Sequence, residues 1–347
     1  MKYADFLLHE KMNYQFVFLD DKGKTPDLKD FQKVQILMNS YDVDNSYGFK
    51  SIVSHSLYKL VELSNLEEID PNMPTLNMGT VSFVQKLIND GLINPANLYN
   101  KPADKTASAD KKLFHTVLKD ADFLPKTVFT VKDTKKLKFP IIAKPASGHS
   151  GIGITKFQML EDLELDGGEK FDLFSEAISI KDEIRLVFVN DELVSFMERE
   201  SRDEKSKFLQ GKSDNMGDLK AEDKLDFLYH IHLPEEIYYK FPRENQMDEI
   251  HSILKEIRKK IPLEFLTLDL AIDDNGKMWV IEINTEPGSS GVMLSNTYRA
   301  IFKDHYGKDI READMPYFRD VEMKLIQHTL QNDKYQLSKI FTQKYIK

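Results

Sequence analysis

No cysteine occurs in the 347 residues. That absence excludes disulfides, thiolate zinc sites and a cysteine nucleophile, and it accords with a reducing compartment. An apolar run long enough to cross a bilayer is also missing, so no membrane partner is expected. The stretch MKYADFLLHEKMNYQ carries acids within its short apolar part and no small-residue cleavage site, so it does not read as a signal peptide. Positive charge is outweighed by negative: the net charge of −9 argues against nucleic acid as the main partner. A cytoplasmic protein is the resulting expectation. There is no internal repeat and no low-complexity tract. The length suffices for two or three packed units, and the 41% hydrophobic and 30% charged content is that of a globular chain.

The most informative stretch is LTLDLAIDDNGKMWVIEINTEPG, residues 266–288. It reads as two strands joined at Asn275-Gly276, a pair suited to a two-residue type I′ turn. That loop pairs Asp274 with Lys277, Ile272 with Trp279 and Asp269 with Glu282. Alternation then puts Leu268, Leu270 and Ile272 on one face with Trp279, Ile281 and Ile283. Asp269, Glu282 and Asn284 fall on the other. Opposed Cβ atoms sit roughly 4.5–5.5 Å apart, where like charges destabilise a sheet. Two carboxylates and an amide oxygen so placed are expected to hold a hard cation, for which Mg²⁺ is suited.

Earlier segments are plainer. Residues 14–19 (YQFVFL) and 34–38 (VQILM) read as buried strands, and 49–63 and 81–92 as helices with one apolar side. Alternating strands and helices suggest a small α/β unit. Residues 97–108 (NLYNKPADKTAS) read as a polar boundary loop. Ser108 or Asp110 then caps a helix with an apolar stripe of Leu113, Val117, Leu118 and Ala121. Lys111 in its first turn opposes the helix dipole, so it points away or serves a ligand. His230 and His232 could share a strand face as ligands, though such isolated pairs are ordinarily surface or core residues.

Residues 138–157, KFPIIAKPASGHSGIGITKF, read as a strand, a loop and a return strand. The loop holds Ser147, Gly148, His149, Ser150, Gly151 and Gly153, and glycine lets backbone N–H groups approach phosphate closely. It is neither a Walker A loop nor a Rossmann fingerprint, because no Gly-Lys-Ser/Thr follows and a strand succeeds it. Lys144 at its base turns the balance toward polyphosphate binding. In FDLFSEAISIKDEIRLVF, residues 171–188, one strand ends at Glu176 and another starts by Glu183. Glu176, Ala177 and Ile178 could meet an adenine edge, and Glu183 ribose hydroxyls. Arg185 lies on the same face as Glu183. The apolar repeat Met247, Ile250, Leu254, Ile257 and Ile261 marks a core-packed helix.

Taken in order, these pieces resemble the ATP-grasp superfamily. The match lies in the Asp110-Lys111 helix, FPIIAKP with its glycine loop, SEAISIKDEIR, and the D…EINTEPG end. The Glu176–Glu183 spacing is similar to that of D-alanine–D-alanine ligases, and Glu183-Ile184-Arg185 to the Asp-Ile-Arg of ribosomal-protein glutamate ligases. Glutathione synthetases belong to the same branch. The resemblance implies an α/β (α+β) fold in which two α+β subdomains grip ATP behind a small α/β pre-ATP-grasp domain. The expected divisions are 1–105, 106–180, 181–300 and a helical extension over 301–347.

It also implies roles. Lys111 and Lys144 contact the phosphates and the adenine side, Ser147 to Gly153 form a lid, Glu176 to Ile178 bind adenine and Glu183 the ribose. Asp269, Glu282 and Asn284 hold two Mg²⁺ ions (or Mn²⁺) across the β- and γ-phosphates. Arg185 faces the γ-phosphate or acyl phosphate. Arg199 is the chosen second basic residue, from a charged segment that also offers Arg202, Lys205, Lys207 and Lys212. The implied reaction joins a small-molecule or peptide carboxylate to an amine through an acyl phosphate, with ADP and phosphate released; a homodimer stays open. An ATP-grasp kinase and a non-catalytic nucleotide-binding regulator are the alternatives. His149 in the loop departs from the usual pattern, and the role of Arg299 stays open between substrate carboxylate and surface.

Overall fold

A computed structural model describes residues 33–38, 58–62, 66–147, 153–165, 168–201, 227–232, 244–285 and 291–308. The strand expected at 14–19, the loop tip 148–152, the charged segment 202–226, the Pro-Gly corner at 287–288 and the tail beyond 308 lie outside them. Among the described residues, no helix is long and apolar enough to cross a membrane.

The chain divides into two compact units, Met1–Tyr99 with Gly288–Lys347, and Asn100–Pro287. In the first, β1 (Val34–Met38), β2 (Tyr58–Glu62), β3 (Thr75–Met78) and β4 (Leu98–Tyr99) form a parallel sheet ordered β2-β1-β3-β4. Helix α1 (Val81–Asn89) packs Val84 and Leu87 against Leu37, Ile93 and Leu98. This is the α/β unit anticipated, with one correction: residues 58–62, expected in a helix, are strand β2. A short apolar run carries no periodicity that separates a buried strand from a helix segment, and pairing with β1 decides it.

The second unit begins with α2 (Pro102–Ala109) and α3 (Lys111–Val117). Part of the stretch taken for a boundary loop is therefore helix α2, with Pro102 in its first turn, where a missing N–H costs nothing. Asp110 closes α2 and caps α3, accepting from Leu113 N–H at 2.9 Å. Leu113 is exposed, and Phe114 takes the buried position expected of it.

Two antiparallel sheets follow. β5 (Thr127–Val128), β6 (Ile141–Lys144), β7 (Thr155–Phe157) and β8 (Leu173–Glu176) are ordered β5-β8-β6-β7. Helix α4 (Leu160–Leu165) adds Leu163 to their core of Ile141, Ala143, Phe157, Phe171 and Phe174. β9 (Ile180–Val189), β10 (Glu192–Ser201), β11 (Phe227–His232), β12 (Phe265–Asp273) and β13 (Met278–Asn284) are ordered β11-β10-β9-β12-β13. The 17-residue helix α5 (Glu244–Lys260) covers one face with Ile250, Ile253, Leu254 and Ile257, meeting Ile184, Leu186, Leu268, Leu270, Val280 and Ile283. In the first unit, α6 (Gly291–Tyr306) buries Tyr298, Ile301 and Phe302.

The β12–β13 hairpin departs from its expected turn. Asp273 N–H donates to Lys277 O at 3.0 Å and Gly276 N–H to Asp273 O at 2.9 Å, so three residues, 274–276, form the loop. Only its glycine has positive φ, +82°. Asp273 explains the preference: its carboxylate accepts from the N–H groups of Asn275 and Lys277 and from Trp279 Nε1. Burial opposes its ionisation, but these three donors hold its carboxyl below the ordinary value. The longer loop shifts the pairing, so Ile272 faces Met278 and Ala271 faces Trp279. Trp279 thus leaves the core face and stacks under Lys277 Nζ at 3.8 Å, while Met278 and Val280 enter it. A bulge at Ile281 then restores the alignment of Asp269 with Glu282. Asn275→Ala is expected to change stability by less than about 0.5 kcal/mol. Gly276→Ala, forced to a left-handed backbone, should cost about 1 kcal/mol or more. Urea denaturation of both variants measures the difference, and equal losses would indicate the two-residue turn.

Candidate functional site

The sheet's face opposite α5 carries the chemistry. Asp269 pairs with Arg185 on one side and Glu282 on the other, so three charged residues form one row across β9, β12 and β13. In the next row Ala271 lies opposite Glu183, which pairs with Arg199 of β10. Thr267 lies opposite Asn284. The alternating neighbours Ile184, Leu268, Leu270 and Ile283 are core, and their burial puts Glu183, Arg185, Asp269, Glu282 and Asn284 together on the other face.

Arg185 binds Asp269 in a two-pronged pair, Nε to Oδ1 and Nη2 to Oδ2, both at 2.6 Å. Glu282 receives Asn284 Nδ2 at 3.1 Å on Oε1, and Lys111 Nζ stands 3.9 Å from its Oε2. The two acids are therefore in register as expected, but their charge is met by the protein's own cations. Burial raises the Asp269 carboxyl above its ordinary value; Arg185 opposes this, and Glu282 and Glu183 reinforce it.

Lys144 ends β6 and joins the group. Burial lowers its pKa, Glu282 and Glu183 counter that, and Lys111 adds to it. The strand end is tied on both sides. Asp172 N–H donates to Lys144 O at 3.0 Å, Ala146 N–H to Asp172 Oδ2 at 2.8 Å, and Lys111 N–H to Ala146 O at 3.0 Å. So the start of α3, the end of β6 and the root of the glycine loop are one hydrogen-bonded knot. At the loop's far root Gly153 has φ +78°, and a Cβ there would stand 3.3 Å from Pro145 Cγ. Ser147 is exposed at the near root, and Gly148, His149, Ser150 and Gly151 lie outside the described residues.

The segment expected to meet adenine is half-buried and anchored. Glu176 Oε1 accepts from Lys138 N–H at 2.9 Å, and Ala177 N–H donates to Pro140 O at 2.9 Å. Ile178 follows, half-buried, on the link into β9. One oxygen of Glu176 and the N–H of Ala177 thus hold the sheet edge. Two residues escaped the sequence reading. Asp172 anchors the loop root, and its only signal is an acid one residue before strand β8. His115 is buried, and burial with Lys144 nearby lowers its pKa to about 4, so it is neutral at pH 7. Its i, i+4 spacing from Lys111 on one helix was the available clue.

Asp269, Glu282 and Asn284 present oxygen donors only, which suits Mg²⁺ or Mn²⁺. Among the described residues no three of His, Cys, Asp or Glu gather as a metal site, so the set depends on the Asn284 amide. Glu282 fits best, because its side chain is 34% exposed and its contact with Lys111, at 3.9 Å, is longer than the fork that holds Asp269.

Residues 106–300 match the family model described as D-ala D-ala ligase C-terminus. The chain belongs to that family. Its matched span exceeds half of the sequence and contains every element of the site. The D-ala D-ala ligase C-terminus family places it among the ATP-grasp carboxylate–amine ligases, enzymes that use ATP and release ADP in forming carbon–nitrogen bonds. No curated protein matches the chain in sequence.

Solved structures agree on the fold. The VanG D-Ala:D-Ser ligase from Enterococcus faecalis superposes with a TM-score of 0.54 at 16% identity, covering 85% of this chain and 98% of that one. D-alanine–D-alanine ligase from Bacillus anthracis complexed with ATP gives 0.52 at 14% identity, covering 86% and 97%. N5-carboxyaminoimidazole synthetase from Staphylococcus aureus complexed with ADP gives 0.51 at 15%, covering 77% and 74%. The mixed α/β architecture expected from the sequence, an ATP-grasp fold, is thereby shown.

Proposed function

We propose that this ligase activates a small-molecule or peptide carboxylate as an acyl phosphate and transfers the acyl group to an amine. The observation that carries the reading is the convergence of Lys111 and Lys144 on the Arg185–Asp269–Glu282 row. Those two lysines bring positive charge to a carboxylate-lined surface, as a polyphosphate site requires. Asp269, Glu282 and Asn284 would hold two Mg²⁺ ions, whose charge neutralises the β- and γ-phosphates. Lys144 and Lys111 contact phosphate oxygens, and the loop 147–153 covers them. Glu176, Ala177 and Ile178 line the base, and Glu183 accepts from ribose. Arg185 and Arg199 stabilise the transferred phosphoryl group. One carboxylate oxygen of the acid attacks the γ-phosphorus and ADP leaves. The amine then attacks the acyl carbon, phosphate leaves, and the amine proton passes to solvent or a base. Catalysis here is positioning and charge stabilisation, and no covalent nucleophile is required.

We extend the same reading to the domain layout. The sheet β5-β8-β6-β7 falls within the proposed 106–180 subdomain, and all of β11-β10-β9-β12-β13 but the first residue of β9 falls within 181–300, with a pre-ATP-grasp domain over 1–105 preceding them in sequence.

The test is ADP release across a panel of amino acids and peptides offered singly and in acid–amine pairs, with the mass of each product. Release that needs both partners supports the ligase. Phosphate transfer to a hydroxyl without an amine would favour an ATP-grasp kinase. Lys144→Ala is expected to weaken ATP binding by about tenfold or more, the scale of one lost charge-assisted contact. Calorimetric titration with ATP checks it, and unchanged affinity would remove Lys144 from the phosphate site.

A further inference from the structure

Asp269 sits between a guanidinium and a second carboxylate, and it cannot serve both neighbours' needs at once. Both of its oxygens accept from Arg185 at 2.6 Å. Its side chain is 10% exposed, whereas that of Arg185 is 33% exposed. The carboxylate is thus the fixed member of the pair and the arginine the member with access to solvent. A divalent cation bound jointly by Asp269 and Glu282 would stand against the same carboxylate as the guanidinium. Two cations sharing one carboxylate repel strongly where water is scarce.

We propose that Arg185 and the divalent cation exchange at Asp269. Arg185 is the internal counter-ion that keeps the buried carboxylate charged and aligned opposite Glu282. Cation binding displaces it from Asp269, and the polyphosphate offers the displaced guanidinium a new anionic partner. Metal without nucleotide must break the Arg185–Asp269 pair, and that cost weakens its binding. Metal with nucleotide repairs that loss. The two ligands are therefore coupled through one side chain, and the coupling is reciprocal. Arg185 becomes the residue that sets the order of loading, a role separate from stabilising the phosphoryl group. The inference rests on the assignment of Asp269 and Glu282 to the metal–nucleotide site.

Electron paramagnetic resonance of free Mn²⁺ tests the exchange without reference to turnover. Wild-type protein, Arg185→Met, Arg185→Lys and the double variant Arg185→Met/Asp269→Asn are titrated with Mn²⁺ alone. Wild-type protein is also titrated with Mn²⁺ and ADP. Arg185→Met is expected to bind Mn²⁺ about tenfold more tightly than wild type, the scale of one removed close charge pair. Arg185→Lys, which keeps the charge and loses the fork, should fall between them and serves where the methionine variant does not fold. The gain should vanish in the double variant. Affinity in both single variants no tighter than wild type, or a gain that survives Asp269→Asn, overturns the exchange. Wild type that binds Mn²⁺ only with ADP supports the parent site, so failure of the single variants then counts against the exchange alone. Wild type that binds no Mn²⁺ even with ADP overturns both.

Discussion

Glu282→Gln is expected to lower the rate of ADP formation by about 10²–10³-fold, the scale of losing one preorganised electrostatic group at a transferring centre. The substitution keeps the shape and nearly the volume of the side chain. It removes the negative charge that faces Lys111 at 3.9 Å. Glu282 is one-third exposed and adds nothing to the apolar face, which is built by Val280 and Ile283 on either side of it. The fold should therefore survive, and circular dichroism with a thermal melt would show it. Asn284 Nδ2 can still donate to the amide oxygen of the variant, so the neighbour need not move. Wild-type turnover by Glu282→Gln would remove the metal assignment from this row.

Asp269→Ala should strike stability as well as activity. The Asp269 carboxylate is almost wholly buried and doubly bonded to Arg185. Removing it leaves the guanidinium without its fork partner in a partly dry site. Broken buried pairs cost about 3–5 kcal/mol, and because Arg185 keeps some access to water the lower end is expected, about 3 kcal/mol. A double-mutant cycle with Arg185→Met isolates the pair, with a coupling of about 1–3 kcal/mol. Urea denaturation of the four proteins measures it. Additive losses would show that the fork contributes only as two independent side chains.

What was legible in the sequence, and what was not, follows from the reach of each interaction. Asp269 opposite Glu282 was readable, but through a loop one residue too short. Asp-Asp-Asn-Gly serves a three-residue turn as readily as a two-residue one, and the Asp273 carboxylate decides between them by gathering Asn275, Lys277 and Trp279. The bulge at Ile281 then compensates, so the acids met and Trp279 was misplaced. Arg185 against Asp269 was not readable. The two are 84 residues apart, and their contact depends on β9 lying beside β12, an order that no local pattern encodes. Helix α2 was hidden because its eight residues, PADKTASA, carry little apolar contrast. Helix α5 was plain, because Ile250, Leu254, Ile257 and Ile261 keep strict helical spacing. The lysines show the same division. Lys144 stands out in the sequence by its place at a strand end, and the structure adds the knot of Asp172, Ala146 and Lys111 that holds it there.

The site also explains why the glycine loop begins where it does. Lys144 O, Ala146 N–H and Ala146 O are all committed, so the chain is fixed up to Ala146. Gly153 fits closely over Pro145 at the return.

The proposed acyl phosphate is tested most directly with the active acid labelled with ¹⁸O in its carboxylate, unlabelled MgATP and the amine. An acyl phosphate predicts that each phosphate released with the amide carries one ¹⁸O from the acid. Amide formed beside phosphate that holds no ¹⁸O would contradict it.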